Sequence, residues 1–179
     1  MGSMPRDPDE PLDGAFRICM VCTGNICRSP MAEIVLRDMV EKAGLSDQVI
    51  VSSAGTGEWH VGEHADPRTV AALESHGFDG QQHRARQFDP DWFDSLDLVV
   101  ALDRSHERVL KSWAGTEENR QKVRLLLSFD ADYAGHSDVP DPYYSDTAMF
   151  ERVLGMIEHS SRALFRQLEP AFHRSRLAL

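Results

Sequence analysis

Four apolar runs rich in strand-forming residues, FRICMV (16–21), VIVSSA (49–54), LDLVVAL (96–102) and VRLLLSF (123–129), alternate along this chain with amphipathic stretches. Strands that alternate with helices build parallel βαβ units, so the pattern predicts one α/β domain with helices on both faces of a parallel sheet. Three of the runs are almost continuously apolar, as strands covered on both faces must be. Helical periodicity is clearest over 30–43, where Ala32, Val35, Leu36, Met39 and Ala43 share a face and Gly44 follows. Further helices are expected over 67–76, 104–113 and 147–168, the last with Met149, Val153, Met156, Ile157 and Leu164 on its buried stripe. A short turn is expected at DPDWF (89–93), with Asp89 as cap and Pro90 at the first helical position.

A chain of 179 residues accommodates one domain with a sizeable core and would be cramped as two. Its 29 acidic residues against 19 basic ones give a formal charge of -10, and no Lys/Arg-rich run interrupts that balance. Nucleic acid and anionic membranes are therefore poor partners, and an anionic substrate would have to be drawn by local donors. No apolar stretch approaches the ~20 residues of a membrane span, and no basic region with an apolar run marks a secretory signal. A cytoplasmic location is expected, with export by a signal-less route left open. Cys19, Cys22 and Cys27 crowd into nine positions with no cysteine elsewhere, which is not a disulfide framework, so reduced thiols are expected. Residues 1–14, MGSMPRDPDEPLDG, have little to bury and read as a disordered leader. Within it, Met1-Gly2-Ser3 ahead of Met4 has the form of an expression scar.

The stretch VCTGNICRSPMAE (21–33) joins the first strand to the first helix, at the sheet edge where open parallel sheets bind ligands. Seven residues from Cys22 to Arg28 can curl so that successive N–H groups point inward, forming a nest for a tetrahedral oxyanion at a helix N-terminus. Gly24 supplies conformational freedom, Asn25 tolerates a left-handed backbone, and Pro30 has no N–H to lose in the first turn. The N–H dipoles, Arg28 and the Ser29 hydroxyl all favour the thiolate of Cys22, making it a candidate nucleophile aimed at phosphorus. Arg28 offers a planar fork for two phosphoryl oxygens, which a lysine would lack. A CxxxxxR pattern alone also arises by chance in turns; Gly24, Asn25, Ser29, Pro30 and the strand-to-helix setting each add a separate physical reason.

Transfer to a thiolate also needs a proton donor for the leaving oxygen. Asp141, between two prolines in VPDPYYSD (139–146), would emerge after the fourth strand on the same sheet edge. Tyr143 and Tyr144 beside it suit an aryl phosphate, although a tyrosine pair also serves as packing. A zinc site is disfavoured, since no second Cys/His pair has suitable spacing. His60 and His64 are four apart, but Gly62 between them and loop-like surroundings argue against a helical ligand pair. An adaptor that only binds phosphate would need neither the nucleophile nor the acid.

Together, VCTGNICRSPMAE, SSAGTGEWHVG (52–62), HRARQ (83–87), ALDRSH (101–106) and DPYY (141–144) resemble the low-molecular-weight protein tyrosine phosphatase family over about residues 15–170. The WHVG and DPYY wording is nearest to actinobacterial, mycobacterial-like members. The resemblance implies a four-stranded parallel sheet in order 2-1-3-4, a phosphatase domain over 15–170 and a C-terminal tail at 171–179. It also implies a cysteinyl-phosphate mechanism with no metal or organic cofactor.

By position, Cys22 matches the family's nucleophile, Arg28 its phosphate-binding arginine and Asp141 its general acid and base. Thr23, Gly24, Asn25, Ile26 and Cys27 form the phosphate loop. Asn25, Ser29, Ser53 and His83 match its supporting hydrogen-bond network, while Trp59, Tyr143 and Tyr144 match the walls beside the substrate ring. Ile26 favours phosphotyrosine, because relatives acting on phosphoarginine carry Thr at the equivalent place. The implied partner is a tyrosine-phosphorylated protein substrate of a monomeric enzyme, with a tyrosine kinase acting on Tyr143 or Tyr144 as a further partner left open. Cys27 either packs beneath the loop or, as the family implies, forms a protective disulfide with Cys22. Cys19, an odd number of positions from Cys22, faces the core on the other side of its strand. Asp103 is expected to cap the following helix. The rival of the same fold, a thiol-coupled arsenate reductase, needs relay cysteines around 80–100, and the sequence has none after Cys27.

Overall fold

The computed structural model describes residues 14–177, and side chains for 14–172; residues 1–13 of the expected leader lie outside the described residues, as do 178 and 179. Strand β1 (Phe16–Cys22) lies inside a four-stranded sheet with β2 (Val49–Gly55), β3 (Leu98–Ala101) and β4 (Val123–Leu125), in order β2-β1-β3-β4. All three pairings are parallel, with Cys22 opposite Gly55 and Val21 opposite Ala101. Both the sheet order and the two-sided covering agree with the sequence-based expectation.

Because side chains alternate along a strand, β1 feeds two cores. Ile18, Met20 and Cys22 join a cluster with Met31, Val35 and Leu36 of helix α1 (Arg28–Lys42) and Phe150, Val153, Leu154, Ile157 and Leu164 of the last helix. Cys19 and Val21 join Phe88, Phe93, Val99 and Leu110 on the opposite face, where helix α3 (Arg104–Trp113) packs. Cys19 and Cys22 thus do face opposite sides.

Helix α2 (Pro67–Ser75) begins at a true cap, Asp66 accepting from the Arg68 N–H. The turn expected at 89–93 is a 3₁₀ turn, Pro90–Asp94, capped by Asp89 as expected.

Two expectations need correction, and one helix was not foreseen. The apolar run 123–129 is strand only as far as Leu125; the chain then makes a 3₁₀ turn that sends Leu126 and Leu127 into the cluster with α1. A continuous apolar run cannot distinguish these outcomes, since each apolar side chain finds a buried place in either. A short helix α4 (Glu117–Lys122), capped by Thr116, has no buried residue and hence no periodicity to betray it. Its two N-terminal glutamates and C-terminal Arg120 and Lys122 complement the helix dipole.

The final helix, α5 (Thr147–Leu177), runs past the expected end at 168, through Pro170, and takes in most of the expected tail. Pro170 removes one N–H from the ladder, but the helix continues and Phe172 packs edge-on against Phe16 with ring centroids 5.7 Å apart. No helix among the described residues is long and apolar enough to cross a membrane.

Candidate active site

The end of β1 delivers Cys22 to the carboxyl edge of the sheet, and the chain turns at once into α1 beginning at Arg28. The carbonyls of the intervening loop are drawn away from the turn's centre. Those of Cys22 and Thr23 accept from the N–H groups of Thr56 (2.9 Å) and Gly57 (3.0 Å), that of Asn25 from His83 Nε2 (2.7 Å), and that of Ile26 from the Asp66 N–H (2.9 Å). Outward carbonyls leave inward N–H groups, and among the described residues no backbone carbonyl takes up the N–H groups of residues 23–27. The loop can therefore act as an oxyanion nest at the N-terminus of α1.

Asn25 is the only non-glycine among the described residues with positive φ, 57°. Its side chain holds that turn: Nδ2 donates to Ser29 Oγ (2.8 Å) and Ser53 Oγ (2.9 Å), while Oδ1 accepts from the Arg86 N–H (3.0 Å). Gly24 keeps an ordinary φ, so the conformational freedom expected of it is not what the turn uses. Its missing side chain makes room instead, since a Cβ there would meet His60 Cδ2 at 2.8 Å. Gly55 has a similar role at the end of β2, where a Cβ would stand 2.5 Å from the Thr23 carbonyl oxygen.

Ser29 Oγ lies 2.9 Å from Cys22 Sγ and can donate to a thiolate there. His83, whose burial pulls its pKa below the usual value, is neutral at pH 7; because a carbonyl only accepts, its Nε2 carries the proton toward Asn25. Cys27 is also buried, and that burial, with the Asp66 carboxylate, pushes its thiol up to about 12. Both Cys22 and Cys27 are free thiols.

Arg28 is 4% exposed at its side chain, and its Nη1 donates to Asp103 Oδ2 (2.8 Å) and the Val139 carbonyl (2.9 Å). With Nη1 committed, the Nε/Nη2 edge of the fork remains for an oxyanion. Asp103 caps α3 as expected, accepting from the His106 N–H, and also carries Arg28, which the sequence did not disclose. Burial alone would raise Asp103, but the bond from Ser105, the neighbouring His106 ring and N–H, and the bond from Arg28 together outweigh it and hold the carboxyl down at about 2.

Asp141 reaches the same cleft from the segment after Val139, whose N–H donates to the Leu102 carbonyl at the end of β3 (2.9 Å). Its side chain is 51% exposed; Oδ2 stands 3.6 Å from Arg28 Nη2, and Oδ1 accepts from the Tyr143 N–H (3.1 Å). Arg68 steadies this segment from α2, donating to the Tyr143 and Ser145 carbonyls (3.0 and 3.1 Å) while paired with Asp66.

A cleft of about 470 Å³ is lined by Cys22, Ile26, Arg28, Trp59, Asp141 and Tyr143, with Thr23, Gly24, Cys27, His60 and Tyr144 completing it. Trp59 (71% exposed) and Tyr144 (94% exposed) stand at its rim. Ser53 and His83 support it from behind, so every site residue expected from the sequence lies in or directly beneath one cleft. Sequence reasoning missed Arg68, Arg86, His60 and His106. The last two stand inside WHVG and ALDRSH, whose resemblance to the family was noted without their contacts, whereas a main-chain donor such as the Arg86 N–H leaves no mark in a sequence. His60 Nδ1 pairs with Glu63, and His64 Nδ1 with Arg84.

Comparison with known proteins gives this geometry a lineage. Residues 17–173 match the family model described as low molecular weight phosphotyrosine protein phosphatase. A low molecular weight protein-tyrosine-phosphatase of Streptomyces coelicolor is 57% identical over 150 residues, covering 83% of this chain and 91% of that protein. Low molecular weight protein-tyrosine phosphatase A of Mycobacterium tuberculosis is 49% identical over 144 residues, covering 80% and 85%. Among solved structures, a protein tyrosine phosphatase from Entamoeba histolytica superposes with a TM-score of 0.82 at 30% identity, covering 88% of this chain and 99% of that one. On motif, fold and near-complete coverage alike, the chain belongs to the low molecular weight phosphotyrosine protein phosphatase family.

Proposed function

We propose that the protein hydrolyses phosphotyrosine in proteins, and small aryl phosphates, through a cysteinyl-phosphate intermediate. The observation that carries this reading is the meeting in one cleft of Cys22 Sγ, an inward-facing N–H nest, the Arg28 fork and the Asp141 carboxyl. The Cys22 thiolate attacks phosphorus while the nest and Arg28 take the charge of the equatorial oxygens. Protonated Asp141 gives its proton to the leaving phenolic oxygen, so the S–P bond forms as the P–O(aryl) bond breaks. In the second step the Asp141 carboxylate takes a proton from water, the hydroxide attacks phosphorus, and Cys22 leaves as the thiolate, helped by the Ser29 hydroxyl 2.9 Å away. Free phosphate departs and Asp141 is again protonated.

Trp59 and Tyr143 flank the ring of the substrate, whose length lets phosphate reach the loop floor while phosphoserine falls short. Ile26, buried to 7% exposure in the cleft, gives phosphoarginine no hydroxyl to bind. When peroxide oxidises Cys22 to the sulfenic acid, the Cys27 thiol five positions on condenses with it, forming the disulfide and releasing water.

The test is hydrolysis of p-nitrophenyl phosphate and of phosphotyrosine and phosphoarginine peptides. Cys22→Ser is expected to abolish turnover, and Asp141→Asn to slow it about 10²- to 10⁴-fold while phosphate still binds. Normal turnover by Cys22→Ser, or preference for phosphoarginine, would defeat the mechanism or the substrate assignment respectively.

A further inference from the structure

His106 sits in the first turn of α3, almost wholly buried at 1% exposure, behind the cleft and outside its lining. Its Nε2 is 2.8 Å from Thr23 Oγ1 and 3.5 Å from Arg28 Nη2. Its Nδ1 is 3.2 Å from Asp103 Oδ1 but makes no aligned hydrogen bond. These neighbours are chemically one-sided: a guanidinium nitrogen only donates and an ionised carboxylate only accepts. An Nε2–H tautomer would set two N–H groups against each other at Arg28 and turn a bare Nδ1 lone pair toward the Asp103 carboxylate. The Nδ1–H tautomer removes both conflicts, even with a poorly aligned N–H, because the proton still faces negative charge.

We propose that His106 is a positioning residue for the phosphate loop, fixed as its Nδ1–H tautomer, whose bare Nε2 accepts the Thr23 hydroxyl proton and faces the Arg28 fork. Thr23 is the residue directly after Cys22, so this bond fixes how the loop leaves the nucleophile. On the other side, Asp103 Oδ2 and the Val139 carbonyl hold Nη1 of the same arginine. His106 beside Nη2 and Asp103 at Nη1 therefore confine Arg28 from two sides while its Nε side stays open, and both come from the start of one helix. Burial and the Arg28 charge lower the His106 pKa to about 4, against the pull of the Asp103, Asp141 and Asp138 carboxylates, so the imidazole is neutral at working pH. A protonated ring would lose the acceptor that Thr23 needs and repel the arginine. The consequence for catalysis rests on the phosphatase reading above; the tautomer does not.

Two side-chain replacements separate the nitrogens. Glutamine has the same number of bonds from Cβ to its terminal amide as histidine has to Nε2, so its carbonyl can accept from Thr23 and Arg28. Asparagine reaches only the Nδ1 position. With wild-type hydrolysis of p-nitrophenyl phosphate measured first, His106→Ala and His106→Asn are expected to lower kcat about 10- to 100-fold, with KM changing less. His106→Gln is expected to recover to within about threefold of wild type, the scale of a restored contact. Equal losses in the Gln and Asn variants, or no loss in any, would overturn the positioning role. Nitrogen-15 shifts of the His106 ring in the unaltered protein at pH 7 provide a check free of folding defects: a pyrrole-type Nδ1 and pyridine-type Nε2 are expected, and the reverse pattern overturns the assignment. A wild-type protein inactive on every phosphate ester would sink the phosphatase reading, while the ring spectrum would still decide the tautomer.

Discussion

The loop that carries Cys22 is bound on its outer side by Thr56, Gly57, His83, Asp66 and the Asn25 side chain, whereas Asp141 sits half-exposed on a segment tied down by Val139, Arg28 and Arg68. One face of the cleft is thus built from buried groups in fixed orientation, and the other from a short strap with water at its surface. The difference follows from the two tasks. Oxyanion donors act by being in place before charge develops, so any freedom in them costs rate. A group that gives a proton to a leaving oxygen and later takes one from water must reach both.

Breaking the buried side has the larger expected effect. Asn25→Ala removes the bonds to Ser29, Ser53 and the Arg86 N–H and puts alanine at φ 57°. Losing such buried bonds costs about 1–3 kcal/mol, and the left-handed backbone about 1–2 kcal/mol more. The expected total is about 3 kcal/mol of stability in urea unfolding, together with about a 100-fold loss of kcat. Asn25→Gly tolerates the backbone and loses only the bonds, so it should recover about 1 kcal/mol. If the two variants unfold at the same urea concentration, the turn is not held against its preference, and the contrast between a strained rigid loop and a relaxed strap fails.

A smaller effect is expected on the strap. Arg68→Ala frees the Tyr143 and Ser145 carbonyls without touching the phosphate loop side chains. Asp141 would then sample more orientations, and the loss should grow with the leaving group's need for a proton. Hydrolysis of p-nitrophenyl phosphate, whose phenolate leaves readily, should change about twofold, and that of phenyl phosphate or phosphotyrosine about tenfold. An equal loss on both substrates would mean that Arg68 acts on binding and not on the acid.

The same division explains what could be read from the sequence. Strand–helix alternation and the Cys22–Arg28 spacing are local in sequence, so the parallel α/β pattern, α1 and the loop were legible there, while the strand order came only with the family resemblance. Ser53 and His83 were reachable only through family resemblance, because their partners lie tens of residues away, whereas Asp141 was legible from its place between two prolines after the fourth strand. Asp103 shows the limit well: an acid ending a strand signals a cap, and the cap is there, but nothing in ALDRSH states that its second oxygen holds an arginine 75 residues upstream. The ends of β4 and α5 were misjudged for an opposite reason, since their local signals were plain and tertiary packing overrode them. Leu126 and Leu127 turn into the core by 3₁₀ geometry, and Phe172 finds Phe16 beyond a proline that would ordinarily close a helix.

A further effect concerns acid stability, and it distinguishes the two faces without any substrate. His106 is pulled from its ordinary 6.5 to about 4 by burial and Arg28, so below pH 6.5 the unfolded chain binds a proton that the folded one refuses. Stability is therefore complete above about 6.5 and falls as pH drops toward 4, by about 3 kcal/mol if the whole shift is expressed. Asp103, lowered from 3.8 to about 2, adds a separate loss that begins only below about 3.8. His83 is also lowered by burial and contributes to the upper window in any variant that retains it. His106→Gln has no ring to titrate, so urea unfolding at pH 7, 6, 5 and 4.5 should give a shallower decline than in wild type, the two converging on a parallel slope below 4. Parallel curves from pH 7 to 4.5 would mean that the fold does not hold His106 neutral, and that the buried side of the cleft is no more electrostatically committed than the exposed one.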